Sequence, residues 1–474
     1  MRRLRARFSL LLILITTAQA GAQTSLQQKI ATAFNKLQAD SQCRYASVSL
    51  TVLDAKTGEQ VFAANPKMGL APGSTLKCIT SITALNALGK DYQFSTVIGY
   101  RGSITADGTL NGDIIIHGNG DPTLGSWRWE TTKERIIFNQ IIAALKTAGI
   151  KRVNGSIIGD DAAYGTQAIP DGWINQDLGT YYGAGISALC WRENQFAVKL
   201  RTGAVASPIG IAGTQPNMPF LSFKSELTNG AAGTGDQGYP YLPATNSNVM
   251  YLRGTYAIDK TQKTIATASP DPAYDFAWHL TDTLKTLGIA VSSTPESATT
   301  LRNKNLPMPQ AGLSLLTLKS PALSSILYWQ NHISINLFAE QVLIASIPQN
   351  TLKPNTTNAV KALQSFWTTK GIDANTLNIF DGSGLSPGNR VTTLTMARIL
   401  QSVVKESWYS AFYESLPVYN DMHMKSGSIN SCQAYAGYQT HAGRQLCFSI
   451  IVNNYNGGGR AIKEKMFKVL DELK

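Results

Sequence analysis

Ala71-Pro72-Gly73-Ser74-Thr75-Leu76-Lys77 is the stretch on which the reading of this 474-residue chain turns. Pro72 and Gly73 break the backbone, Ser74 suits the first turn of a helix, and an apolar run from Ile79 to Leu88 continues it. Ser74 and Lys77 are three apart, so on a helix both side chains share one face, a single turn from each other. A serine hydroxyl is a weak nucleophile and needs a neighbouring base. A lysine serves when burial and nearby positive charge leave it neutral. The start of a helix also favours a developing alkoxide or oxyanion. Alone, Ser-x-x-Lys arises by chance as a capping serine followed by a solvated lysine, so the rest of the chain has to decide.

Outward from this stretch, composition sets the class. Hydrophobic residues make up 43% of the chain and charged residues 15%, which reads as globular rather than disordered, with length for about two to four domains. Arg2, Arg3, Arg5 and Arg7, the apolar run Phe8 to Ile15 and the small-residue site Ala18-Gln19-Ala20 form a signal peptide over residues 1–20, with cleavage after residue 22 as a second option. No cysteine for a lipid anchor lies near that site, and no run is long enough to be a transmembrane segment of the mature chain. The expectation is an exported, soluble protein of the periplasm or cell envelope.

The formal charge of +12 falls to +8 without the four leader arginines. For an exported protein this suits an anionic envelope surface. No Lys/Arg cluster with interleaved aromatics is present, so nucleic acid is not an expected partner. Cys43, Cys78, Cys190, Cys432 and Cys447 are an odd set; Cys432 and Cys447 flank a hairpin and are candidates to pair. No Cys or His spacing suggests a metal, no cofactor is expected, and the five histidines read as structural or surface groups.

Hydrophobic periodicity predicts a helix over Ser25–Leu37 and a hairpin of Tyr45–Leu53 with Gln60–Ala64. Short strands follow at Thr96–Arg101, Thr109–His117 and Arg152–Gly159, with a helix over Thr132–Ala148. Gly118 to Leu124 resembles a phosphate cradle only in its glycines, since Gly-Lys-Ser/Thr is missing, and reads as a structural turn. Pro170 to Thr255 is rich in turn residues with short strands. Helices are expected at Ala273–Leu287, at Ser320–Ile335 opening on a Ser-Pro cap, at Leu337–Ile347, at Ala359–Gly371 and at Thr393–Lys405. Three strands, His423–Ser428, Ala434–Thr440 and Gln445–Asn453, and an amphipathic helix, Ala461–Leu473, close the chain. The N-terminal strands are expected to join this meander in one antiparallel sheet. The result is an α+β protein: residues 24–94 and 293–474 form one domain, and residues 95–292 form a mainly β insertion (95–165 with 262–292, and 166–261).

Three motifs then occur in one order: Ser74-Thr75-Leu76-Lys77, Ser334-Ile335-Asn336 and Lys425-Ser426-Gly427. Penicillin-binding proteins and class A β-lactamases carry such a set. Lys56-Thr57-Gly58 and Ser428-Ile429-Asn430 also fit, but the first sits in a hairpin turn and the second directly on the third motif. Flanking stretches sharpen the likeness: Gly120-Asp121-Pro122-Thr123-Leu124, Tyr181-Tyr182-Gly183-Ala184, Ser187-Ala188-Leu189, Asn336 to Glu340, Asp381 to Ser386, and Ala436-Gly437-Tyr438. With these, the chain resembles the low-molecular-mass class C penicillin-binding proteins, the D-alanyl-D-alanine carboxypeptidase/endopeptidase family (peptidase S13-like). It departs at Ser426, where threonine is usual, and at Ile335, where aspartate is common.

The resemblance implies a β-lactamase/transpeptidase-like domain that hydrolyses peptidoglycan stem peptides and cross-links through an acyl-enzyme. β-Lactams would acylate the same serine. Ser74 would be the nucleophile, Lys77 its proton acceptor, and Ser334 the bridge between the lysines that returns the proton to the leaving amine. Asn336 would hold the substrate amide. Lys425, with Ser426 and Gly427, would bind the terminal carboxylate and keep Lys77 neutral. The N–H groups of Ser74 and Ser428 would form the oxyanion hole. Asp177 and Tyr182 match an acidic residue and an aromatic five apart that face the amine end of the substrate side chain in related enzymes. A β-lactamase and a penicillin sensor or wall-binding module without turnover are the alternatives. The chain lacks a Glu-x-x-Leu-Asn segment for the first and a transmembrane link for the second.

Overall fold

A computed structural model describes residues 25–242, 247–308, 310, 312–348 and 352–474; the expected signal peptide lies outside the described residues. A six-stranded sheet runs in the order Val418–Tyr419, Met422–Ile429, Cys432–His441, Arg444–Asn453, Ser47–Asp54, Gln60–Ala64, and every pairing in it is antiparallel. The N-terminal hairpin does join the C-terminal meander, along the full length of Ser47–Asp54. Side chains alternate across the sheet. Leu50, Val52, Phe448 and Ile450 pack on one face with Ile30 and Phe34 of the helix Leu26–Gln38 and Ile462 and Met466 of the helix Gly459–Leu470. The terminal helix is thus fixed by its apolar stripe against the sheet.

The opposite face carries the helices around Ser74. Leu76–Leu88 is buried from Leu76 through Leu85, packed with Leu323–His332, Asn336–Ala345, Thr356–Thr369 and Thr393–Ser402. A helix enclosed on every side has no polar face to show, which is why its sequence is apolar throughout with small polar residues tied down locally. Thr83 accepts a hydrogen bond from the buried Trp367 indole at 2.9 Å, and Thr80 donates to Gly382 O at 2.6 Å.

A second sheet of seven strands contains Ser95–Ile104, Thr109–His117, Arg152–Asn154, Ile157–Asp160 and Leu313–Lys319, with helices Glu134–Thr147 and Pro272–Thr286 in its core. Two three-stranded sheets built from Gln195–Arg201, Gly210–Gln215, Ser222–Gly230, Tyr239–Tyr241, Val249–Ala257 and Thr264–Ala268 share another core. Leu313–Lys319 pairs antiparallel with Ser95–Ile104, and only then does Ser320 N donate to Phe94 O and Leu323 N to Tyr92 O. We therefore propose 319, rather than 292, as the outer limit of the insertion.

Several local expectations need correction. Arg152–Gly159 is two strands, pairing first with Thr109–Asn111 and then with Ile114–His117, and between them Ser156 N donates to the Asp113 side chain rather than to a strand carbonyl. Ser320 caps no helix: its hydroxyl accepts from Phe94 N at 2.9 Å, and the helix begins at Leu323. That helix ends at His332, not Ile335. All five cysteines are free, and Cys432 lies opposite Asn453 while Cys447 lies opposite Tyr438, so the two do not meet. The turn at Gly120 is structural: the Asp121 carboxylate accepts from Thr123 N and Thr123 Oγ1.

Candidate active site

The Pro72-Gly73-Ser74 turn enters the helix Leu76–Leu88 through one 3₁₀ turn, Gly73–Thr75, and is gripped from two sides. Gly427 on the strand Met422–Ile429 approaches so closely that a Cβ there would lie 2.2 Å from Pro72 O and 2.9 Å from Ser74 N. Gly384, at φ +84°, approaches from the Asp381–Ser386 loop, where a Cβ would lie 1.9 Å from Gly73 O. Neither backbone atom can yield without moving Ser74. Gly427→Ala is expected to fold, to lower stability by about 1–3 kcal/mol, and to slow acylation about 10²-fold, because the strand must shift by a fraction of an ångström or more. Circular dichroism with a fluorescent-penicillin time course checks it; a wild-type rate would show that the approach does not matter.

Lys77 is fully buried, and its Nζ sits 3.0 Å from Ser74 Oγ, 2.6 Å from Asn336 Oδ1 and 2.8 Å from Ser383 O. The orientation of the Asn336 amide is fixed from its other end, since Asn336 Nδ2 donates at 2.8 Å to the carbonyl of Tyr182, which can only accept. Asn336 Oδ1 and Ser383 O are therefore both pure acceptors. A neutral lysine has two N–H groups and one lone pair. With both hydrogens directed at these two oxygens, the lone pair is left for the Ser74 hydroxyl.

The electrostatics agree with a neutral Lys77. Burial first, and the Lys425 ammonium second, push it well below the usual lysine range, while Glu340 and Asp381 pull the other way. Both causes named from the sequence, burial and a nearby positive charge, are present, and burial is the larger. Lys425 is itself buried and held by Ser426 O at 2.9 Å, and burial brings it down to about 8.

The structure also supplies residues that sequence reasoning left without a role. Glu340 accepts from Gly382 N and Ser383 N, and Asp381 accepts from Gly384 N, Ser386 N, Asn389 Nδ2 and the Trp173 indole. These two buried carboxyls hold the loop that aims Ser383 O at Lys77. Burial, with Asp381 as neighbour, pushes the Glu340 carboxyl up. The tight Asp381-Gly382-Ser383-Gly384 turn was visible in the sequence, but its use as a lysine acceptor was not.

Ser74, Ser334, Asn336, Ser428, Asp177 and Tyr182 line one cavity of about 870 Å³, a volume suited to a peptide-sized ligand. Lys77 and Lys425 stand behind its wall, and Ser426 and Gly427 lie on the adjoining strand outside the lining. Ser334 occupies the break between two helices at φ +61°, a left-handed conformation uncommon for serine. Its hydroxyl makes no hydrogen bond to Lys77 or Lys425 among the described residues, so the expected bridge between the lysines is not formed. Burial raises the Asp177 carboxyl. No group of His, Cys, Asp and Glu that could hold a metal occurs among the described residues. No described helix is long and apolar enough to cross a membrane.

A buried lysine paired with a helix-start serine, on an antiparallel sheet with helices on both faces, defines a serine–lysine site on a β-lactamase/transpeptidase-like α+β fold. The chain belongs to the D-Ala-D-Ala carboxypeptidase 3 (S13) family, whose profile matches residues 30–473, and is a peptide hydrolase of that family. Among its relatives, the D-alanyl-D-alanine carboxypeptidase of Actinomadura sp. (strain R39) is 25% identical over 86% of this chain and 78% of its own length. D-alanyl-D-alanine carboxypeptidase DacB of Haemophilus influenzae is 24% identical over 83% of this chain and 82% of its own. The crystal structure of penicillin binding protein 4 (dacB) from H. influenzae superposes with a TM-score of 0.77 at 22% identity, covering 93% of this chain and 98% of that one. At that identity the superposition speaks for the fold.

Proposed function

We propose that the protein is an exported serine D-Ala-D-Ala carboxypeptidase and DD-endopeptidase of peptidoglycan, working through an acyl-enzyme and inhibited by β-lactams. The observation that carries this is the buried Lys77 Nζ at 3.0 Å from Ser74 Oγ, with Asn336 Oδ1 and Ser383 O placed to accept its hydrogens at 2.6 and 2.8 Å. Ser74 attacks the carbonyl of the penultimate D-Ala while its proton passes to Lys77. The oxyanion forms between the N–H groups of Ser74 and Ser428. Support comes from the crowding at this point, where a Cβ on Gly73 would lie only 2.8 Å from Ser428 N. The C–N bond breaks, and the proton moves from Lys77 to the leaving amine; Ser334, which lines the cavity but does not touch Lys77 in the free protein, enters that path only once bound substrate brings its hydroxyl between the two. Water then releases the acyl group and restores the proton to Ser74. Lys425, buried just behind the cavity wall, supplies the positive charge for the terminal carboxylate, with Ser426 next to it on the same strand. Asp177 and Tyr182 face the amine end of the stem side chain, a role supported by their place in the cavity and by the Tyr182 carbonyl's hold on Asn336. A β-lactam stops the cycle at a slowly hydrolysed acyl-enzyme.

The test is mass analysis of muropeptides digested by the purified protein, with and without benzylpenicillin. Loss of a terminal alanine, cleavage of dimers, and a penicillin adduct on the peptide containing Ser74 are expected. Intact muropeptides, or an adduct elsewhere, would overturn the proposal.

A further inference from the structure

The cavity does not end at Ser74. It continues past Ser334 and Ile333 to Trp127, Arg128, Glu193 and Gln195, residues of the insertion. Exposed Trp127, Ile174, Tyr181, Tyr182 and Ile333 all line it, so exposed apolar side chains collect at this one place, as they do where a ligand packs.

Arg128 is built into that far wall with care. Its Nε and Nη2 donate to the two oxygens of Glu193 at 2.7 and 2.9 Å, and its guanidinium lies over the rings of Trp127 and Trp329 at 5.4 and 5.2 Å. Glu193 is buried and completed by Ser126 Oγ and Gln195 Nε2. It is presented by three consecutive residues, Arg192, Glu193 and Asn194, at φ of 51°, 54° and 51°. A left-handed run of residues with Cβ atoms costs roughly 1–2 kcal/mol at each position, and such strain persists where surrounding structure enforces it. Here its product is a guanidinium whose Nη1 has no protein partner among the described residues, rigid, and in the cavity wall. A fixed guanidinium edge beside an exposed indole matches a carboxylate-bearing peptide.

We propose that this arm binds the leaving peptide of a cross-link, with Arg128 holding a carboxylate on that peptide and Trp127 packing on its backbone. The inference rests on the endopeptidase reading above. The direction follows from Ser334. In the proposed mechanism the leaving amine departs on the Ser334 side, and the same cavity is lined by Ser334, by Ile333 just past the end of the Leu323–His332 helix, and by Arg128, whose guanidinium lies over Trp329 of that helix. A released D-Ala carries only the carboxylate already assigned to Lys425 and Ser426, whereas the leaving half of a cross-link is a peptide with a second, terminal carboxylate free to meet Arg128.

The experiment compares kcat/KM for a cross-linked muropeptide dimer with that for the monomeric pentapeptide muropeptide, in wild type, Arg128→Gln and Trp127→Ala. The dimer-to-monomer ratio is expected to fall about thirtyfold in Arg128→Gln, the range of a hydrogen bond to a charged group, and about fivefold in Trp127→Ala, a half-exposed side chain whose removal takes one ring from Arg128 but neither of its hydrogen bonds to Glu193. The loss should lie in KM, since the contact is far from the reacting bond. An unchanged ratio in both variants overturns the assignment, as does an equal loss on monomer and dimer, which would place the acyl-side peptide here. Wild type that trims monomers but leaves dimers whole also overturns it. Wild type inert on both overturns the underlying function instead.

Discussion

Lys77→Ala is expected to slow acylation of Ser74 by about 10⁴-fold, the upper range for a positioned general base. The effect is large because no other described group can stand in. Asn336 Oδ1 and Ser383 O, the other partners of Nζ, are acceptors already oriented by Tyr182 O and by the Glu340-held loop. Water entering the space would take its place between them but would lack the basicity of an amine. Lys77→Met, which keeps the stem volume, should fail equally and controls for a cavity. Ser74→Ala removes labelling altogether. The double variant should be no worse than Ser74→Ala alone in peptide hydrolysis, because nucleophile and base act as one unit. Time courses of fluorescent-penicillin labelling decide it: a rate within tenfold of wild type in Lys77→Met would remove Lys77 from the proton path.

What was legible in the sequence follows from how local the cause is. Ser74 and Lys77 share a helix, so spacing alone places them on one face. The meander Met422–Ile429, Cys432–His441, Arg444–Asn453 was readable as short runs of strand-forming residues between turns, and Cys432–His441 and Arg444–Asn453 are buried almost throughout because helices cover both faces of the sheet. Leu313–Lys319 was missed although Leu316 and Leu318 alternate with Thr317 and Lys319; the pattern is short and its partner lies far upstream. Gly210–Gln215 and Ser222–Gly230 hide in a glycine- and threonine-rich region where turn chemistry dominates. The break at Ser334 has no glycine or proline to announce it. Above all, the groups that orient Lys77 are backbone carbonyls, Ser383 O directly and Tyr182 O through Asn336. A carbonyl has no residue identity, so no sequence pattern can mark it. The three motif side chains were readable; the geometry that leaves a lone pair on one of them was not.

Lys425→Gln is expected to lower kcat/KM for a D-Ala-D-Ala peptide about 10³-fold, within the roughly 2–5 kcal/mol lost when one partner of a desolvated charge pair is removed. The same lysine sets an alkaline limit. Burial holds its ammonium at about 8, so in the free enzyme the charge that meets the substrate carboxylate disappears above that pH. Bound carboxylate restores the proton, so the limb belongs to kcat/KM rather than kcat. Stability moves the opposite way. The unfolded chain keeps this proton up to the ordinary lysine pKa of about 10.4, so between about pH 8 and that value the unfolded state binds more protons than the folded one. The contribution of Lys425 to stability therefore rises with pH across that window, and below it both states are protonated and the contribution is flat. Lys77, also depressed, acts in the same direction. Activity lost above pH 8 while this contribution to Tm rises cannot be ascribed to unfolding. Lys425→Gln should abolish both the alkaline limb and its share of the Tm slope. A wild-type kcat/KM that stays level to pH 10, or an alkaline limb that survives in Lys425→Gln, would take the carboxylate-binding role from this residue.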